Sequence, residues 1–163
     1  MTIFIGIDPG LTGAVAFVDH RSCVVEDLPT MQLPGDGMVT RKIDGRALVE
    51  LLRRHTVPGE PVQVFLEQVG TMGGKNNAVQ TQGSLMRTLG AIEAVLECLR
   101  MPPQMVYPQK WKAFYALDKN KAAALAKARL LYPAMSGTSL KLAKHHNRAE
   151  SILIAHWGLR TTA

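Results

Sequence analysis

The 163-residue sequence predicts an α/β fold with a mixed five-stranded sheet, its elements in the order βββ-α-β-α-β-α-α. Three observations predict it. Short runs rich in Ile, Val and Phe, separated by tight turns, open the chain. A further apolar run at 62–67 stands between two stretches of helical periodicity. Beyond it, one short strand signal at 104–107 is followed only by helix signals.

Residues 2–8, 13–18 and 22–28 read as a three-stranded meander, turning at Gly10 to Gly13 and again at Asp19-His20-Arg21-Ser22. Pro29 to Thr40, centred on Pro34-Gly35-Asp36-Gly37, reads as loop. Asp44 is a plausible N-cap for a helix with Leu48, Leu51 and Leu52 on one face, ending before Pro58-Gly59. Val62 to Glu67 reads as a buried strand, and Gly70 to Asn77 as a polar loop. A long helix is expected over 78–99, with Leu85, Leu89, Ile92, Leu96 and Leu99 at helical spacing. Gly83 and Gly90 inside it cost about 1 kcal/mol each against Ala, which makes sense if another backbone comes close there. After the strand at 104–107, Pro108 starts a helical turn holding Trp111, read as core. Asp118 is a possible cap for a helix over Lys121 to Leu131, Pro133 to Ser139 is loop, and the last helix runs over about 144–159.

Length fits one domain, 1–163. No apolar run reaches the ~20 residues that span a bilayer, and the first residues lack a signal-peptide layout, so the cytoplasm is the expected compartment. Cys23 and Cys98 are expected as reduced thiols. The net charge of +6 is unevenly spread. From Arg100 onward eleven basic side chains face only Asp118 and Glu150, whereas the first 99 residues hold eight basic and eleven acidic ones. An acidic half joined to a basic half suggests a metal-binding centre beside a polyanion-binding surface.

Two of the apolar strands end on carboxylates, Asp8 and Glu67. If those strands pair they lie ~4.8 Å apart, where two like charges need a cation between them. Asp8 and Glu67 therefore read as half of a divalent-metal site, and hard oxygen donors favour Mg²⁺ or Mn²⁺. In the last helix Glu150 shares a face with His146 and Asn147 and stands just before the apolar run Ile152 to Ala155.

Ile5-Gly6-Ile7-Asp8-Pro9-Gly10-Leu11-Thr12-Gly13, Phe65-Leu66-Glu67-Gln68-Val69 and His146-Asn147-Arg148-Ala149-Glu150-Ser151 together resemble the motifs of the RuvC-like Holliday junction resolvases of the ribonuclease H superfamily, and most closely its phage and organellar branch. The resemblance covers nearly the whole chain and implies a ribonuclease H-like sheet with helices on both faces. It also implies a metal-dependent endonuclease that nicks four-way junctions on opposing strands. Two Mg²⁺ or Mn²⁺ ions per site would be held by Asp8, Glu67, Glu150 and a fourth group. An acid usually fills that fourth place; here His146 is chosen, with Asn147 as the alternative.

By the same resemblance Lys121 approaches the scissile phosphate, and Lys75, Asn76 and Asn77 enter the junction centre. Met72 stands near the place of an aromatic wedge. Lys110, Lys112, Lys119 and Arg148 are candidate phosphate contacts, and His145 faces solvent or the DNA backbone. A homodimer through the long helix and branch-migration partners are also implied, with no membrane association. Three other readings stay open. They are a branched-DNA binder that does not cut, a broader nuclease for flaps or forks, and half of an actin-like ATPase, which Asp8-x-Gly10-x-Thr12 also resembles.

Overall fold

A computed structural model describes residues 1–35, 37, 40–70, 79–117 and 121–162. The opening meander forms as expected: β1 (Ile3–Asp8), β2 (Ala14–Val18) and β3 (Cys23–Asp27), paired antiparallel. The stretch read as loop contributes a short strand, β4 (Thr30–Gln32), which pairs with β5 (Arg41–Ile43) in a separate two-stranded ribbon. Three-residue strands carry too little alternation to stand out from a turn-rich sequence. Helix α1 (Gly45–His55) starts at the expected cap, where the Asp44 carboxylate accepts from the Ala47 amide at 3.0 Å.

Strand β6 (Val62–Glu67) joins β1 in parallel, then come α2 (Val79–Cys98) and β7 (Pro103–Val106). Helices α3 (Pro108–Phe114) and α4 (Lys121–Leu131) follow, with a 3₁₀ turn at Pro133–Met135 inside the expected loop. A second 3₁₀ turn, Ala143–His145, leads into α5 (His146–Thr162), so the last helix begins two residues later and ends three later than expected. The main sheet is mixed and five-stranded, as the sequence predicts, and runs β3-β2-β1-β6-β7. Among the described residues no helix is long and apolar enough to cross a membrane.

Strand alternation sorts side chains to the two faces of this sheet. Ile5, Ile7, Val15, Phe17, Val64 and Leu66 pack on Leu48, Leu51, Leu52, Ile92 and Leu96 of α1 and α2. Phe4, Ala14, Ala16, Val18 and Phe65 face α3, α4 and α5, meeting Trp111, Leu125, Ile152 and Ala155. Helices thus cover both faces. Among the described residues nothing lies within 4 Å of where a Cβ on Gly83 or Gly90 would stand, so none of their backbones comes close to either. Both cysteines are free, and burial pushes the Cys23 thiol up to about 12.

Candidate functional site

Register decides which strand ends meet. Ile7 lies opposite Leu66 in the parallel β1–β6 pair, so the next residues, Asp8 and Glu67, end adjacent central strands. Alternation turns both toward α5, because Ile7 and Leu66 point to the other face.

The approach of α5 completes the group. Gly6, two residues before Asp8, carries no Cβ, and one placed there would clash with the Ser151 carbonyl and the Ala155 amide and stand 2.9 Å from the Ala155 methyl. Such contact of helix backbone on strand requires glycine, and it sets the first turns of α5, with Glu150, over the end of β1. Gly13 does the same for the turn: a Cβ there would strike the Asp8 carbonyl and stand 3.0 Å from the Gly10 nitrogen.

Helix α3 supplies two further side chains to the strand ends. The fully buried Trp111 indole Nε1–H donates to Glu67 Oε1 at 2.9 Å. Its neighbour Lys112 places Nζ 3.8 Å from Glu150 Oε1. Lys121, at the exposed start of α4, has Nζ 3.4 Å from His146 Nε2.

The electrostatics follow from this crowding. Burial pushes the Asp8 carboxyl well above the usual carboxylate range; Glu67 and Glu150 push the same way, while Lys121 and Lys112 oppose them. Glu67 is also raised, chiefly by burial, with Glu150 adding to the effect and the Trp111 hydrogen bond and Lys112 resisting it. Asp8, Glu67 and Glu150 thus lie within electrostatic reach of one another, and two lysines lie within reach of Asp8. Three hard oxygen donors, disfavoured as charged groups by burial and mutual repulsion, match the chemistry of a Mg²⁺ or Mn²⁺ site. Among the described residues, however, no three His, Cys, Asp or Glu side chains are closed into a coordination cluster. Glu67 is turned onto Trp111 and Glu150 toward Lys112 instead.

The remaining sequence candidates divide. Asn147 gives its amide to the Thr12 carbonyl at 2.6 Å and to Thr12 Oγ1 at 3.2 Å, tying the start of α5 to the β1–β2 turn. His146 meets Lys121. His145 Nδ1 accepts from the Leu142 amide at 3.2 Å, a capping contact within the 3₁₀ turn. Arg148 forks onto Asp27 at 2.6 and 2.7 Å and donates to the Ser139 carbonyl, which makes it a brace between α5 and β3. Lys110 is exposed on α3. Lys75, Asn76, Asn77, Met72, Asp118 and Lys119 lie outside the described residues. Trp111 is the residue whose role was not foreseen: a lone tryptophan in a helical turn reads as core, and its partner stands 44 positions earlier.

Searched against solved structures, the chain matches over its whole length. One match is the structure of Thermus thermophilus RuvC in complex with Holliday junction substrate, at 17% identity and a TM-score of 0.62, covering 100% of this chain and 98% of that one. Another is a structure of Thermus thermophilus RuvC at 16% identity and a TM-score of 0.55, covering 98% and 96%. No protein-family model and no curated protein sequence matches. At these identities the likeness establishes the fold, and the fold is RuvC-like.

Proposed function

We propose that this protein is a metal-dependent endonuclease that resolves Holliday junctions by paired nicks. The observation that carries the reading is the convergence of Asp8, Glu67 and Glu150 at the ends of β1 and β6 under α5, with Lys112 and Lys121 beside them. The RuvC-like fold supports the same reading, and one protein of that fold has been solved with a Holliday junction.

In this proposal the three carboxylates hold one or two Mg²⁺ or Mn²⁺ ions. Bound there, the metal supplies an activated water and stabilises the leaving oxygen of an in-line phosphodiester hydrolysis. Trp111 keeps Glu67 oriented from behind. Lys112, beside Glu150, and Lys121 would neutralise charge developing on the phosphate. His146, whose Nε2 meets Lys121, would be the fourth group to hold the metal; Asn147, whose Nδ2 donates to Thr12, would offer Oδ1 as the alternative. The exposed Gly83 and Gly90 of α2 support a homodimer, which would offer two sites to the two opposing strands of a four-way junction.

A second reading, binding of branched DNA without cleavage, draws on the same contacts: Glu67 and Glu150 already have protein partners and the fourth position is not acidic. One substrate panel separates these readings, using mobile and fixed four-way junctions, a flap and a linear duplex with Mg²⁺ or Mn²⁺. Paired nicks in the four-way junctions, with the duplex intact, are expected. Equal cutting of flaps would broaden the substrate class, and tight binding without nicks under any divalent ion would establish the binder.

A further inference from the structure

The basic C-terminal part of the chain leaves unexplained a groove that opens beside His146. Its volume is about 590 Å³. Thr12 of the β1–β2 turn, Arg41 of β5, Lys144 and His145 of the second 3₁₀ turn and Asn147 at the start of α5 line it, as does the Asp27–Arg148 pair. Three cations stand there against one carboxylate, and that carboxylate is held by both arms of the Arg148 guanidinium. The first turn of α5 adds no acidic side chain.

Arg41 is also shared with a neighbouring groove of about 210 Å³, where Lys42 and Arg87 add positive charge and, among the described residues, no acidic one takes part. Cations of the acidic N-terminal half, Arg41, Lys42 and Arg87, therefore continue a basic track that begins at Lys144. Sequence arithmetic alone assigned polyanion binding to the C-terminal half.

We infer that this groove carries the sugar–phosphate backbone of the nucleic-acid strand leaving the carboxylate site, with Arg41 and Lys144 each neutralising a phosphate and the Thr12 hydroxyl donating to one. The inference rests on the proposed nuclease reading and adds a direction to it: the strand passes His146 and runs over the β4–β5 ribbon toward α2. A cationic groove with the Thr12 and Thr30 hydroxyls on its lining suits a phosphodiester backbone, because phosphate contacts fix register without requiring base edges. Asn147 belongs to this channel as a positioning residue, since its amide holds Thr12 at the mouth.

The test measures affinity for a fixed four-way DNA junction without divalent metal, across a salt series, for wild type, the double variant Arg41→Gln/Lys144→Gln and the charge-keeping variant Arg41→Lys/Lys144→Arg. Two lost phosphate contacts should make the salt dependence shallower by about 1.8 in log–log slope and weaken binding about tenfold or more at low salt. The charge-keeping variant should recover most of both, which a purely structural role would not. A junction with uncharged methylphosphonates beside the cut should erase the difference between wild type and the glutamine variant. Unchanged affinity and slope in the glutamine variant, while wild type binds and nicks the junction, would overturn the groove and spare the nuclease reading. Wild type that fails to bind the junction at any salt would overturn both.

Discussion

The two faces of the central sheet are built from different residues for different ends. Toward α1 and α2 the strands present Ile5, Ile7, Phe17 and Leu66, which bury volume against leucines and an isoleucine. Toward α5 the middle of the sheet presents Gly6, Ala14 and Ala16, and the helix answers with Ala149, Ser151 and Ala155. Both faces remove apolar area from water, at roughly 25 cal/mol per Å². Only the second also gives up side-chain volume at its centre so that backbones can approach. Every carboxylate of the candidate site lies on the second face, because only close approach brings Glu150 over strands that end on Asp8 and Glu67. Apolar burial stabilises both sides of the sheet, while the candidate site is confined to the side where backbones come close.

The largest expected effect tests that division directly. Gly6→Ala places a methyl group against the α5 backbone and should destabilise the protein by about 3 kcal/mol or more, or prevent folding. Ile7→Val, one residue on and on the other face, should cost about 1 kcal/mol. Chemical denaturation of both checks the pair, and similar losses would erase the distinction between the faces.

Trp111→Phe should come next, at about 2 kcal/mol, for a lost hydrogen bond to a partly buried carboxylate and a smaller ring. That bond lowers the Glu67 pKa, so its removal should shift the acid limb of the cleavage profile to higher pH. A pH–rate profile identical to wild type would exclude Trp111 from the site.

A smaller effect, of opposite sign, is expected from Asp8→Asn. The folded-state pKa of Asp8 is raised above its unfolded value, so in metal-free protein ionisation of Asp8 opposes folding. This penalty is absent below about pH 4 and grows as pH rises through the folded pKa. The variant should therefore be more stable than wild type at pH 8 by on the order of 1 kcal/mol, a Tm gain of about 2–4 °C, and the gain should vanish near pH 4. A loss of stability at pH 8 would show that protein contacts to the Asp8 carboxylate outweigh its burial and repulsion.

What the sequence revealed follows the same division. The paired strands, the Asp44 cap and the apolar stripe of α1 were legible because each is a local pattern. Asp8 and Glu67 could be read together because each ends an apolar run and register does the rest. The contacts that refine the site were not legible. Trp111 reaches Glu67 across 44 positions, Arg148 reaches Asp27 across 121, and Asn147 reaches Thr12 across 135, and no periodicity encodes such pairings. Arg148 was counted among the DNA contacts on charge alone, whereas its fork is engaged by a carboxylate. The β4–β5 ribbon escaped notice through its brevity, and with it the position of Arg41 beside the site.

The central claim is that proximity on the α5 face assembles a divalent-cation site from Asp8, Glu67 and Glu150. Titration of Mn²⁺ into the metal-free protein, followed by calorimetry and by thermal unfolding, tests it most directly, with Glu67→Gln as the comparison. Saturable binding with a rise in Tm for wild type, and weak binding with little rise for Glu67→Gln, is the predicted result. The same response to Mn²⁺ in both proteins, or none in wild type, would contradict the claim.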